Sequence, residues 1–441
     1  MKRNLFSLTI LIIISILFIS CSKANIFSKE EAPYHHGILK EINDTITDNP
    51  AEALSMLNNI SDTTRNNFSE QEYYEYHILL EEAHYKNFQL QENYNIIAKA
   101  CNYFDSLTLI YPQNTDVLFL SSKALYYNAV GYEEKEENKN AFKKYLESLK
   151  RIEDINLHFC SKSKTDEIQH FKALIYTRLG EILYWHDVND PAIECFKNAN
   201  DLFALENNQN ALSRNNFIIA VIYGLNFNHD KALHHLAIAD SILNDGKTKN
   251  MLKNDIERIK ASVLYNTGNK EEAFCSIINQ YKTLDNQEQK MEAAGVLGDM
   301  YYDQKIYDSA IYYYEKYFPS NKFSKINAAN NIIEISIITG DNELITKYAP
   351  SLAEETNKEI LLSSIKTELT SLYHKYEEEK NDDHLYNKIL NYLFLVFATT
   401  ILLFFIGLKV INHKREKYEN EISEKKNYIN SLEKKIRLRN K

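Results

Sequence analysis

Residues 171–199 read FKALIYTRLGEILYWHDVNDPAIECFKNA. Within them Tyr176, Leu179, Gly180, Leu183, Ala192, Phe196 and Ala199 form one pattern of large and small apolar positions. The same registry returns at Ile219, Ala220, Tyr223, Ala232, Leu236 and Ala239, and again at Leu297, Gly298, Tyr301, Ala310, Tyr314 and Tyr317. Weaker copies flank these, with Ala261, Leu264, Gly268, Ala273 and Ile277 between them and Ala129, Tyr132, Ala141 and Tyr145 upstream. Self-similarity at a period of tens of residues is the signature of a repeat architecture, in which each unit buries its apolar face only against its neighbours.

The pattern resembles the tetratricopeptide repeat, TPR. The resemblance implies two antiparallel helices per repeat, with the small residues Gly180 and Ala192 letting the two backbones approach and the large ones filling the space between. The alanines of the second helices stand at positions 141, 192, 232, 273 and 310. These intervals exceed the standard period of about 34 residues, so longer helices or loops are expected. Helix pairs are expected to continue toward both ends, through residues 70–104 and 327–348, with residues 50–57 as an early helix of the cap. The fold class is therefore all-α: a TPR-like solenoid over 45–350, preceded by a linker over 22–44. Residues 351–388 are a cap or stalk helix, with Leu361, Ile365, Leu369, Leu372 and Tyr376 at helical spacing.

Composition agrees. The chain holds only 10 Gly and 6 Pro in 441 residues, below the usual shares of about 7% and about 5%, so the turn chemistry of a many-stranded protein is missing. Aromatic residues make up 12% of the chain, mostly Tyr, and supply the large side chains that wedge helices together. Beyond Cys21, the cysteines at 101, 160, 195 and 275 stand alone. Without a CxxC or Cys/His pairing they make no metal motif and read as small buried apolar residues.

Residues 389–408 contain no charge. As a helix they are roughly 30 Å long, the thickness of a bilayer core. Lys388 and Lys409 bound the stretch, and Tyr386 and Tyr392 stand where rings settle at a headgroup boundary. Lys409, His413, Lys414, Arg415 and Lys417 follow it, whereas Glu377, Glu378, Glu379, Asp382 and Asp383 precede it. Residues 409–441 carry a net charge of +6 and residues 1–408 a net of −16. Positive flanks stay inside, so a single-pass protein of a bacterial inner membrane is expected, its large domain periplasmic and its C-terminus cytoplasmic. The acidic outer part argues against nucleic-acid binding. The chain start agrees: Lys2 and Arg3 precede an apolar run over 5–19 that suits a secretory signal over 1–21. The segment ending at Cys21 resembles the lipobox of bacterial lipoproteins, with Phe18 where Leu is usual. Lipidation of Cys21, cleavage near 20–24 and an uncleaved signal anchor all place the large domain outside.

Beyond the apolar stretch, Ile422, Ile429 and Ile436 recur every seven residues, with Tyr418 and Leu432 at intervening seam positions. Ile at a with Leu at d favours a parallel two-stranded coil, which Lys425 and Arg439 at other d positions weaken. Residues 409–441 are thus expected to form a basic cytoplasmic coiled coil and a parallel homodimer.

The sequence holds no HExxH, GxSxG, Gly-rich phosphate loop or kinase signature, and no enzymatic activity, cofactor or metal is expected. His229, His234, His235 and Asp230 fall at a loop-to-second-helix position where polar residues are ordinary. In TPR proteins ligands lie in the groove lined by the first helices. Registry carries that groove to Thr177, Glu181, Tyr184, Trp185, Phe217, Asp299 and Tyr302, with Trp185, the chain's single Trp, as an aromatic anchor. Clamps for a C-terminal carboxylate use Lys and Asn at comparable sites, which disfavours that ligand here. The layout resembles bacterial membrane-bound TPR regulators. It implies a non-catalytic sensor or adaptor that binds a protein or peptide outside and passes a signal to a cytoplasmic partner, or else a static envelope scaffold.

Overall fold

The computed structural model describes residues 37–90, 94–243, 247–320 and 322–439. The signal segment and Cys21 lie outside them. Every described element is helical. The first four are α1 (Ile38–Thr45), α2 (Pro50–Asn58), α3 (Asp62–Arg65) and α4 (Glu70–Lys86). They are followed by α5 (Tyr94–Ile110), α6 (Thr115–Glu133), α7 (Asn138–Glu153), a 3-10 turn at Leu157–Phe159, α8 (Lys162–Trp185) and α9 (Asn189–Leu205). Then come α10 (Gln209–Leu225), α11 (His229–Ser241), α12 (Lys247–Asn266), α13 (Lys270–Thr283), α14 (Gln287–Asp303), α15 (Tyr307–Tyr317), α16 (Lys322–Thr339) and α17 (Asn342–Arg439). The chain divides after Leu372 into two compact units.

In the first unit α6 packs on α7, α8 on α9, α10 on α11, α12 on α13 and α14 on α15, and each pair packs on the next. This is a TPR-like helical solenoid. The five second-helix alanines of the sequence registry, Ala141, Ala192, Ala232, Ala273 and Ala310, are all buried at 1% exposure or less. A methyl added at Gly180 would lie 3.1 Å from the Phe196 ring, and one at Gly298 2.6 Å from the Tyr314 ring. At both positions those rings press on the first helix, so that a methyl would force the ring to shift, most at Gly298.

Local signals explain where the helices begin and end. Asn49 and Pro50 start α2, the side chain of Asn49 accepting from Glu52 N. Ser69 and Glu72 make a capping box at α4, and Asn114, Ser161, Asn208 and Asn286 cap α6, α8, α10 and α14. The first helices also end alike. Phe88, Glu136, Asp187, Phe227, Gly268, Lys305 and Gly340 all have positive φ. In each case the next residue's N–H donates to the carbonyl five positions back, as Val188 N to Leu183 O at 2.9 Å and Asn228 N to Tyr223 O at 2.8 Å. This is the Schellman ending, and only two of its seven left-handed positions are glycine.

Of the cysteines, Cys101 and Cys195 are buried, Cys160 is intermediate and Cys275 is exposed. Cys275 departs from the expected burial because α13 turns Ala273, Ile277 and Gln280 inward, and position 275 falls off that face.

Up to Leu372, α17 belongs to the first unit. Leu369 is fully buried, and Glu368 pairs with Lys139 of α7 at 2.6 Å. In the second unit, residues 389–408 lie within α17, with a best window of mean hydropathy 2.5 and none of it buried. Ile389, Phe394, Leu395, Leu402, Phe404 and Phe405 are all exposed.

Candidate functional site

The first helices of the solenoid make a wall whose polar residues are joined from repeat to repeat. At its N-terminal end Lys123 of α6 is 3% exposed. Its Nζ stands 2.8 Å from Glu82 Oε2 of α4, 3.1 Å from Asn43 Oδ1 of α1 and 3.9 Å from Glu167 of α8. Burial alone would raise the Glu82 carboxyl, yet Lys123 and Lys86 hold it down at about 2. Further along, Arg178 of α8 bridges Glu133 of α6 at 3.1 Å and Glu181 at 2.7 Å, and Glu181 Oε1 also receives Arg214 of α10 at 2.9 Å.

Beyond that bridge the wall opens into a depression of about 870 Å³ between α8, α10 and α12. Leu174, Tyr184, Phe217, Ile218, Val221 and Leu252 give it an apolar lining, and Phe203 enters from α9. Arg178, Glu181, Arg214, Asp255, Asn208, Asn210 and Asn215 supply its polar groups. Asn215 is 1% exposed, and its Nδ2 has no hydrogen-bond partner among the described residues. A donor so placed costs free energy until an acceptor meets it.

Five of the seven residues named from registry, Thr177, Glu181, Tyr184, Trp185 and Phe217, line this one depression. Their chemistry differs from one to the next. Thr177 Oγ1 donates to Ala173 O at 3.0 Å on its own helix, and Glu181 is held between two arginines. Trp185 is 55% exposed, its ring 5.2 Å from that of Tyr184. Desolvation, with Asp187 nearby, raises the Tyr184 hydroxyl. The other two residues stand outside the depression. Asp299 Oδ1 accepts from Tyr314 Oη at 2.8 Å, and Tyr302 Oη donates to Glu334 of α16 at 2.6 Å. Loss of hydration on the wall raises the Asp299 carboxyl to about 6, against the lowering bond from Tyr314.

Registry read one residue at a time missed Arg214, Asn215, Leu252 and Asp255. The signal for most of them was present. Leu174, Thr177, Arg178 and Glu181 occupy positions i, i+3, i+4 and i+7 of one helix face. Moved along by the interval that separates Ala192 from Ala232, they become Arg214, Phe217, Ile218 and Val221. The next interval, from Ala232 to Ala273, carries Ala211 and Arg214 to Leu252 and Asp255. The depression is one helix face repeated three times.

His235, from the histidine group of the sequence, packs between helices: its Nδ1 lies 2.9 Å from Asn216 Oδ1 and its ring stacks on Tyr223. Among the described residues no three His, Cys, Asp or Glu side chains cluster so as to hold a metal ion.

No family model matches the chain, and no curated protein matches it. Among solved structures it is similar to a Rap protein complexed with competence and sporulation factor, at 15% identity and a TM-score of 0.49, covering 77% of this chain and 93% of that one. It is also similar to NprR in complex with its cognate peptide NprX, at 12% identity and a TM-score of 0.49, covering 80% and 99%. The apo form of the quorum sensor NprR from B. thuringiensis matches at 13% identity and a TM-score of 0.47, covering 77% and 98%.

Proposed function

We infer that this chain is a non-catalytic, membrane-anchored binding protein whose solenoid takes a peptide or protein segment in the α8–α10–α12 depression. The observation that carries the reading is the depression itself: an apolar floor built from one face of the first helices of three successive repeats, containing the buried, unpartnered Asn215 Nδ2. An extended segment suits it, because its side chains can enter the apolar floor. Thr177 is engaged with its own helix and Glu181 with Arg178 and Arg214, which fits recognition rather than bond-making.

The exposed apolar cylinder over 389–408 supports a single span. The charge split supports a periplasmic solenoid and a cytoplasmic tail. Protease added to spheroplasts should digest the solenoid and spare the tail, and a protected solenoid would reverse this topology. In the tail Leu408 takes an a position and Ile411 a d position of the same heptad frame, which favours a sensor or adaptor, pairing through the coil and handing a signal to a cytoplasmic partner, over a static scaffold. One residue inserted after Lys414 rotates the tail by about 100° and seven nearly restore its phase, so a sensor fails with one and works with seven, whereas a scaffold tolerates both.

The binding reading is tested by selecting peptides from a random library on the full-length protein in detergent. Selected peptides should carry aromatic or branched apolar residues, shift the emission of Trp185 and lose affinity for Phe217→Ala. Peptides that bind with no change at Trp185 and no dependence on Phe217 would refute it.

A further inference from the structure

We propose that residues 408–429 pair with the same residues of a second copy, parallel and in register, and that Lys414, Glu419, Glu421 and Lys426 set that register. The proposal rests on the reading of 389–408 as a membrane span. Ile411, Tyr418, Ile422 and Ile429 share one face of α17 and are 55% to 65% exposed. Copies in one membrane emerge in the same direction, and α17 is helical through the whole stretch, so a parallel pair is the arrangement open to them. In that pair each g position faces the e position five residues later on the other helix. With Ile422 at a, the g residues are Lys414 and Glu421, and the e residues they meet are Glu419 and Lys426. Both contacts join opposite charges.

A slip loses this match. Shifting one helix by a heptad, in either direction, sets Glu421 against Glu419 on one flank and Lys414 against Lys426 on the other. All four side chains are exposed. Glu419 receives Arg415 Nε on its own helix through Oε1 at 2.7 Å, which neutralises the cation that falls at the a position. Lys425 at d remains a charge in the seam, so the pair depends on the high effective concentration that a shared membrane gives.

The test uses the full chain in native membranes, with cysteine placed singly at Ile422 on the seam or at Asn427 on the opposite face, oxidised and compared with the unsubstituted chain. Ile422→Cys should give a covalent dimer and Asn427→Cys little. Adding Glu421→Lys to Ile422→Cys should lower the dimer by about tenfold, because it turns both symmetric contacts repulsive. Adding Lys426→Glu as well should restore it to within about twofold. Positions 421 and 426 are not neighbours on a single helix, so rescue reports a contact between chains. Equal dimer from positions 422 and 427, or indifference to Glu421→Lys, overturns the register. No dimer at either position overturns pairing itself. Protease protection of the tail in the same membranes tells either result apart from a failure of the span.

Discussion

The wall of first helices is closed at one end and open in the middle. Around Lys123 the residues of α1, α4, α6 and α8 fill it with a buried, fully partnered ion cluster. Between α8, α10 and α12 the same kind of surface carries a hollow with an apolar floor and one amide donor left over. Both regions are built from equivalent helix positions, so the repeat does not by itself make a binding site. The difference lies in whether long charged side chains reach their counterparts across the wall. Where they do, the wall is a structural seam, and where they stop at the Arg178–Glu181–Arg214 bridge a cavity begins.

The largest effect should come from breaking the closed end. Glu82→Ala leaves the Lys123 ammonium buried with only the weaker counter-charges of Glu167 at 3.9 Å and Glu75, and should cost about 3 kcal/mol in denaturant melts of the full chain. Replacing the pair with Lys123→Met and Glu82→Leu should recover most of that. The same cluster predicts an acid response. Glu82 titrates at about 2 in the fold against an ordinary 4.5, so its contribution is complete above about pH 4.5 and is lost as pH falls through 2. Glu82→Gln should flatten stability over that window. His235, lowered to about 4 chiefly by burial, acts earlier: its contribution is whole above pH 6.5 and fades toward 4, where folding opposes its protonation.

Packing between paired helices comes next. Gly298→Ala drives a methyl into the Tyr314 ring and should cost roughly 1 to 3 kcal/mol, as should Ala192→Phe, whereas Lys197→Ala on the exposed face should be near neutral. Equal losses at Ala192 and Lys197 would mean that the helix faces are assigned wrongly.

The alanine and glycine positions were legible because they repeat and because packing leaves little room for anything larger. The capping asparagines and serines were legible in principle, since each acts within its own turn. Three things were not. The left-handed endings fall on Phe88, Glu136, Asp187, Phe227 and Lys305, where side-chain type gives no signal for the turn. The wall's ion pairs join residues from different repeats, as Lys123 with Glu82 and Asn43, and no local pattern announces such a contact. Five of the groove residues came together because registry placed them on the first helices. Asp299 and Tyr302 have the same registry, but Tyr314 and Glu334 engage their polar groups, and a face shared with the groove became a link between helices.

At the open region the effects on stability shrink and those on binding grow. Trp185→Ala should change stability by less than about 1 kcal/mol, since the ring is mostly exposed, yet weaken a selected peptide by about 2 kcal/mol, roughly 30-fold. A larger stability loss with unchanged affinity would assign Trp185 to packing. The smallest effect is a gain: Phe227 is 81% exposed at φ 57°, so Phe227→Gly should relieve a left-handed residue and add up to about 1 kcal/mol.

The most direct measurement puts a photo-crosslinking amino acid at Phe217 in the depression, and separately at Phe159, which is 86% exposed and outside it, in growing cells. Adducts should form from position 217, disappear when Trp185→Ala is added, and be absent from position 159. Adducts from position 159 with none from 217 would contradict the assignment of the open wall as the binding site.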